Sequence, residues 1–349
     1  MKKIVRLPTI SVVIATYNSK RTIQKCLESI RNQRYPQEKI EIIVADGASR
    51  DTTRNIASAY NVRWVAVDPT KQSAEYNKAT GIRHAKNEIL AMIDHDNILP
   101  HDLWLQNMVT PFLEQKDVVG VETLRYHYDP KASLLDRYFA LFGAGDPLVW
   151  YLGKADRLSY IYDTYALAGQ ATDHGTYYLV RFQPDTMSTI GANGFLVRRQ
   201  VLMDNAQVAP GTYFDMDVNI DLIKKGFDTY AFVKDSILHL TGYGNIVNFL
   251  KRRILFLSQY RFGSEAEKRK KLRRFGGLSQ RDVWRLVWAV VICATFVVPL
   301  YDSIRGWRKI HDNAWFLHPF LAFSFVCLYS WVIMKHQLAF FYAKRFLAP

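Results

Sequence analysis

The first hundred residues switch repeatedly between two hydrophobic periods, and this alternation restricts the fold more than any other feature of the chain. "TISVVIAT" is short, β-branched and continuously apolar, and "SKRTIQKCLESIRNQ" follows it with Ile23, Leu27 and Ile30 at helical spacing. The pattern recurs as "KIEIIVADG" before the helix-like "SRDTTRNIASAY", then "VRWVAVD" before "QSAEYNKATGIRHAK", and ends in the strand "EILAMID". Strand, helix and strand repeated in this way predict an α/β domain with a Rossmann-like, mostly parallel sheet and right-handed crossovers. Ligands of such sheets bind beyond the carboxyl ends of the strands. Three of these strands end in carboxylates: Asp46, Asp68 and Asp94.

The stretch "ILAMIDHDNILP" places a second carboxylate, Asp96, two residues after Asp94. Asp is unfavourable in strands and costly to bury unless it is paired or bound to a metal. Two carboxylates at the ligand edge of a sheet suit Mg2+ or Mn2+, hard ions that take oxygen ligands and bridge to substrate phosphates. Asp96 is the expected direct ligand; the alternative is that the pair caps the next helix. No Gly-x-Gly-x-x-Gly follows the first strand and no Gly-x-x-x-x-Gly-Lys-[Ser/Thr] occurs, so dinucleotide and P-loop readings lose their main support. "GASRD" reads as a tight strand-to-helix turn, with Ser49 and Asp51 near an N-cap.

"VVIATYNSKRTIQKCLESIRNQ", "IEIIVADGASRDTT" and "YNKATGIRHAKNEILAMIDHDN", spaced and ordered in this way, resemble the family 2 glycosyltransferases of the GT-A fold. The resemblance covers about the first 100 residues closely and returns near residues 190–226. It implies that Thr16, Tyr17 and Asn18 line the nucleotide site, that Asp46 holds the base, and that Asp94 and Asp96 bind metal and diphosphate. It also implies a later acidic general base. Counting back from Gly226 puts Asp215 at that position, with Asp217 as the competitor two residues on. The chain departs from the family pattern at Phe214, where Glu is usual. Asp217 or Asp221 in a first helical turn has a purely structural reading as well, because the helix dipole favours negative charge there. His239, after the strand-like "DSIL", is a candidate to complete the metal site or contact the diphosphate, or else a structural histidine; Lys71 and Asn77 are candidates to approach the diphosphate.

Beyond residue 235 the chain turns basic, and the whole sequence carries a formal net charge of +14. This balance suits nucleic acid, an anionic membrane surface or phosphorylated small molecules. Three scattered cysteines favour a reducing compartment and exclude a Cys-rich zinc site. The start, with Lys2 and Lys3 before a short apolar run, is read as the first strand rather than a signal peptide. Residues 1–240 are expected to form the catalytic domain, with an aromatic-rich insertion at 129–183. Residues 241–282 form a basic amphipathic, interfacial region, in which "NFLKRRILFLSQYRF" precedes the cationic run at 268–274. Residues 283–349 hold two apolar segments, 286–301 and 314–334, near the span of a bilayer core, read as a transmembrane hairpin, with two buried or interfacial helices as the alternative.

These readings converge on an inverting, metal-dependent glycosyltransferase with Mg2+ or Mn2+. It would move a sugar from a nucleotide sugar, UDP-linked, to a lipid-linked or glycan acceptor. The catalytic domain would lie on the cytoplasmic face of the cell membrane, in contact with membrane lipids. A polyprenyl-phosphate glycosyl synthase is the nearest alternative. A catalytically silent scaffold and a basic nucleic-acid-binding protein are more distant ones; two long apolar segments argue against nucleic acid as a partner.

Overall fold

A computed structural model describes residues 6–184, 186–262 and 280–346. The cationic run at 268–274 lies outside the described residues. The chain divides into two compact units, one of residues 1–129 and 156–241, the other of residues 130–155 and 242–349. The aromatic-rich stretch at 129–183, read from sequence as one insertion, is therefore divided between them.

Among the described residues the first unit contains ten strands: β1 (Ile10–Thr16), β2 (Ile40–Asp46), β3 (Arg63–Ala66), β4 (Ile89–Met92), β5 (Asn97–Ile98), β6 (Gly120–Tyr126), β7 (Gln170–Asp173), β8 (Tyr177–Arg181), β9 (Phe195–Arg198) and β10 (Thr229–His239). Its helices are α1 (Ile23–Arg31), α2 (Thr53–Ser58), α3 (Ala74–His84) and α4 (Trp104–Glu114); α7 (Arg199–Asn205) and α8 (Asp215–Lys224) come later in the chain. The sheet order is β3-β2-β1-β4-β9-β6-β10-β8-β7, with β5 pairing to β10.

Parallel pairing holds from β3 to β4 and again between β6 and β10. Strand β9 lies antiparallel between β4 and β6, and β8 and β7 add an antiparallel edge, so the sheet is mixed rather than mostly parallel. The cause is visible in the register: Met92, where β4 ends at the rim, pairs with Phe195, where β9 begins. A strand that starts at the rim can only run away from it.

Every residue of β1 is buried, as a continuously apolar strand covered on both faces should be. Helix α3 starts at Ser73, whose Oγ accepts from the Tyr76 N–H. It lies very close to the sheet: a Cβ on Gly81 would come within 2.6 Å of Val13 Cγ1. That close approach carries the preceding turn of α3, with Asn77 and Lys78, under the sheet's carboxyl edge.

The second unit holds α5 (Leu134–Phe142), α6 (Pro147–Tyr151) and α9 (Ile246–Leu257), followed by α10 (Gln280–Thr295), α11 (Val297–Lys309) and α12 (Leu317–Phe346). Ser133 caps α5, Gly143 ends it in the left-handed conformation, and Asp146 caps α6 ahead of Pro147. His318 is buried, with one ring nitrogen 2.9 Å from the Tyr138 hydroxyl and the other 3.0 Å from the Tyr151 hydroxyl. Among the described residues one helix, over Asn313–Leu338, is long and apolar enough to cross a membrane. The segment at 286–301, read from sequence as the first arm of a hairpin, is not one helix: α10 and α11 meet at Phe296 with a bend of 74°.

Candidate active site

The first wall of the site is a stapled pair of turns. Thr16 and Asp46, the last residues of β1 and β2, stand opposite each other in register. The Thr16 hydroxyl donates to Asp46 Oδ1 at 3.0 Å, and the Ser49 N–H donates to Oδ2 at 2.8 Å. Asn18 takes a positive φ of 52°; its N–H donates to Ser49 Oγ, and its side-chain oxygen accepts from the Arg50 N–H. Asx side chains tolerate this backbone conformation, so the residue type matches the turn. Tyr17 is exposed beside it. Asp46 itself is buried, and the Ser49 hydroxyl also donates to its Oδ1. Much of its bonding capacity therefore holds the two turns together.

Asn77 is buried on α3, and its Nδ2 donates to the Thr16 carbonyl at 3.2 Å. Its Oδ1 is buried with no hydrogen-bond partner, the kind of orphan acceptor that calls for an explanation. Lys71, also singled out from sequence, is placed differently: it pairs with Asp68 in an exposed loop, 3.7 Å away.

The second wall is the Asp94–Asn97 turn. The Asp94 N–H donates to Asn97 Oδ1 and the Asn97 N–H to the Asp94 carbonyl, both at 2.9 Å. This local lock aims the two carboxylates at different partners. Asp96 faces His239, with Oδ2 3.6 Å from Nε2. His239 arrives there because β10 pairs antiparallel with β5, setting His239 opposite Asn97. Burial pushes the Asp96 carboxyl up, but His239 and then His95 outweigh burial and hold it below the usual carboxylate range.

Asp94 faces the other way, toward Lys78, with Oδ1 3.3 Å from Nζ. Lys78 is the residue that sequence reasoning missed. Only 4 % of its side chain is exposed, and its Nζ also donates to Asp215 Oδ2 at 3.0 Å. Burial alone would lower the lysine, yet Asp215 and then Asp94 drive it well above its ordinary value. One signal was present in the sequence. Lys78 sits four residues before Ile82, on the face α3 turns to the core, where a solvated lysine has no place.

Asp215 opens α8, and the Tyr213 hydroxyl donates to its Oδ1 at 2.7 Å. Burial, the largest influence, holds its carboxyl above the ordinary range despite Lys78. The side chain keeps 23 % of its surface exposed, which moderates that effect and leaves a path for a substrate. Asp217, the competitor, is fully buried. Phe214 is buried ahead of α8 and provides no side-chain cap.

The loop before β9 closes the site. The Asn193 N–H reaches Asp94 Oδ2 at 3.4 Å, and Asn97 Nδ2 donates to Asn193 Oδ1. Gly191 holds φ at 113°, and a Cβ there would lie 2.7 Å from the Asp215 carbonyl oxygen. Behind the loop, Arg157 pairs with Glu122 at 2.6 Å, and both are fully buried. Arg157 also donates to the Asn193 carbonyl at 2.8 Å, and the Gly191 N–H donates to Glu122. Burial drives Glu122 up to about 8 against the pull of Arg157. A buried, hydrogen-bonded Arg157–Glu122 pair thus clamps the loop that joins Asp94 to Asp215, and neither Arg157 nor Glu122 stands out in the linear sequence.

The site therefore gathers Asp94, Asp96, His239, Lys78 and Asp215 at the carboxyl edge of the sheet, with Thr16, Asn18, Asp46 and Asn77 on the adjoining turns. Together with the strand order, this rim defines a GT-A-type fold. The mannosyltransferase PcManGT from Pyrobaculum calidifontis, solved in complex with GDP-Man and Mn2+, has the same architecture. It matches with a TM-score of 0.52 over 95% of this chain and 88% of that one, at 16% identity.

The chain belongs to glycosyl transferase family 2, whose sequence profile matches residues 11–184. Glycosyltransferase AglE of Haloferax volcanii is 37% identical over 137 residues, 38% of this chain and 44% of that protein. The chain thus aligns with less than half of that relative's length. A Methanococcus voltae protein matches along nearly its whole length, at 23% identity over 93% of this chain and 96% of its own. It is described as a dolichyl N-acetyl-alpha-D-glucosaminyl phosphate 3-beta-D-2,3-diacetamido-2,3-dideoxy-beta-D-glucuronosyltransferase.

Proposed function

We propose that this chain is an inverting, metal-dependent glycosyltransferase that transfers a sugar from a nucleoside diphosphate sugar to a hydroxyl of a lipid-linked acceptor. The observation that carries the reading is the division of labour at the rim. Asp96 and His239 converge on one side of the Asp94 turn, and Lys78 ties Asp94 to Asp215 on the other. The Methanococcus voltae relative, whose printed name specifies a sugar on dolichyl phosphate as acceptor, supports a lipid-linked hydroxyl.

The donors at the rim fit a divalent cation. Two ligands on an octahedral ion with bonds of about 2.1 Å lie roughly 3 Å apart. Asp96 and His239 stand 3.6 Å apart, with Asp96 held ionised. Among the described residues no three His, Cys, Asp or Glu side chains are placed to hold one ion together, so an ion held by Asp96 and His239 would need further oxygen ligands from outside the protein. Mg2+ or Mn2+ bound there would neutralise charge on the departing diphosphate. Asp94, engaged by Lys78 and the Asn193 N–H, is left to position the donor rather than to hold the ion.

Asp215 is the proposed general base. Its carboxylate is poised by Tyr213 and Lys78, and it is open enough to take the proton of an acceptor hydroxyl as that oxygen attacks the anomeric carbon. Attack from the face opposite the diphosphate inverts the configuration. Asp217 is too deeply buried for that role. Thr16, Tyr17 and Asn18 would line the nucleotide, with the Asp46 carboxylate oxygens as acceptors for N–H groups of the base and buried Asn77 supporting the turn through the Thr16 carbonyl. Such acceptors suit uracil and guanine alike, so UDP-linked sugars head the test panel and GDP-linked sugars belong in it. Lys71 is better placed to pair with Asp68 than to reach the diphosphate.

Helix α12, long and apolar enough to cross a membrane, supports membrane attachment, which would raise the enzyme's effective concentration near a lipid-held acceptor. Cytoplasmic nucleotide sugars would put the catalytic unit on the cytoplasmic face. The test is a panel of nucleotide sugars incubated with Mn2+ or Mg2+ and a membrane extract, following label into lipid. Absence of transfer from every donor, with the protein folded, would reject the function.

A further inference from the structure

The α10–α11 pair is a bent element with an apolar outer surface. Phe296, at the bend, has φ 61°, a conformation that bulky residues rarely adopt. The inner face of α11 is packed: the Ser303 hydroxyl donates to the Trp315 carbonyl, and a Cβ on Gly306 would collide with the Trp315 ring. The outer face exposes Trp284, Trp288 and Val291 on α10 and Val297, Tyr301 and Ile304 on α11. Exposed Arg285 lies at one end of this surface, and exposed Arg305, Arg308 and Lys309 lie at the other.

Helix α10 is too short to cross a bilayer on its apolar part. Residues 286–296, between Arg285 and the bend, span about 16 Å at 1.5 Å per residue, against a hydrocarbon core of about 30 Å. Were α10 upright with its end at the far face, Arg285 would sit exposed at mid-membrane depth, where a guanidinium is rarely tolerated. An elbow standing symmetrically on the surface removes the conflict. With a bend of 74°, each arm is inclined to the membrane normal by half of 180° − 74°, or 53°. Arg285 then lies about 10 Å above the apex, and Arg305 to Lys309 about 8–12 Å above it, from the same helical rise. Both basic ends reach the headgroup layer of one leaflet, and the apolar surface between them enters to the depth typical of interfacial helices, about 5–10 Å.

We propose that the α10–α11 elbow is a re-entrant anchor seated in one leaflet of an anionic lipid bilayer, and that α12 alone crosses it. This replaces the hairpin expected from sequence and rests on the membrane placement of α12 proposed above. It does not depend on catalysis.

The test uses the full chain in sealed inverted membrane vesicles, in a Cys327→Ser background, because Cys26 and Cys293 are buried. Arg285→Cys and Lys309→Cys variants are treated with a membrane-impermeant maleimide before and after permeabilisation. The elbow predicts that both are modified from the same side, and that Val298→Cys near the apex is protected until detergent is added. Modification of the two ends from opposite sides, or ready modification of Val298→Cys in intact vesicles, overturns it. Trp284→Cys and Arg308→Cys read the same two ends should either member of the first pair fail to accumulate. Alkaline carbonate washing separates the two layers of the argument. Release of the chain overturns the membrane placement itself, whereas opposite-side labelling of a retained chain overturns only the elbow.

Discussion

Replacing Asp215 with Asn removes the proposed base while keeping the shape of the side chain. General-base assistance contributes about 10²–10⁴-fold, which is about 2.7–5.5 kcal/mol of barrier. Turnover with a hydroxyl acceptor should fall by that factor. Donor affinity should barely change, because Asp96, His239 and the Thr16–Asp46 turn keep their contacts. Stability should change in a pH-dependent way. A carboxyl whose folded-state pKa is raised contributes stability below the unfolded value, near 3.9, and loses it as pH rises through the folded value. Asp215 is raised by burial, so its ionisation at neutral pH costs stability. The Asn variant should lack this acid-side contribution; at neutral pH it also leaves buried Lys78 with Asp94 alone, so its midpoint there should fall, though by less than in a variant that strands both carboxylates. Radiolabel transfer under donor saturation, titration of nucleotide by calorimetry and thermal unfolding at several pH values measure the three quantities. Unchanged turnover with a hydroxyl acceptor would refute the assignment. An acceptor that is itself an ionised phosphate needs no base, and with such an acceptor the variant should stay active.

Three further substitutions probe the arrangement. Lys78→Met leaves Asp94 and Asp215 without their shared cation. Breaking a buried ion pair costs about 3–5 kcal/mol, and the low end applies because both carboxylates keep about a quarter of their surface exposed; a denaturant midpoint equal to the parent's would count against the bridge. Gly191→Ala should destabilise by more than about 1 kcal/mol and lower turnover, because φ is 113° and the new Cβ meets the Asp215 carbonyl; unfolding and kinetics of the same sample check both. Asp96→Asn should raise the Mn2+ concentration for half-maximal transfer at least about 10-fold, the smallest loss typical of metal-site changes, and an unaltered metal titration would move the ion elsewhere.

The rim of carboxylates was legible because each strand that delivers one is a local pattern. "KIEIIVAD" and "EILAMID" show their burial by composition and their ends by the first charged residue. Asp215 was within reach because its distance from Gly226 is a matter of counting. Lys78 was not, because both its partners, Asp94 and Asp215, lie beyond helical spacing, Asp215 by 137 positions, and nothing near it in sequence is acidic at helical spacing except Glu75. The Arg157–Glu122 clamp is hidden for the same reason, since the two residues meet only when β6 and the 156–161 segment pack in one unit.

The sequence by itself determined the alternation of strands and helices, the family, and the identity of the acids at the sheet's edge. Hydrophobic period and turn chemistry are properties of neighbouring residues, so these features could be read directly. The tertiary structure alone decided that β9 runs antiparallel, that Asp94 and Asp96 face different partners, and that His239 reaches Asp96 through β10. It also decided that an apolar stretch breaks at Phe296. Each of these depends on register, backbone conformation or contact between residues far apart in the chain, and such relations leave no trace in local composition.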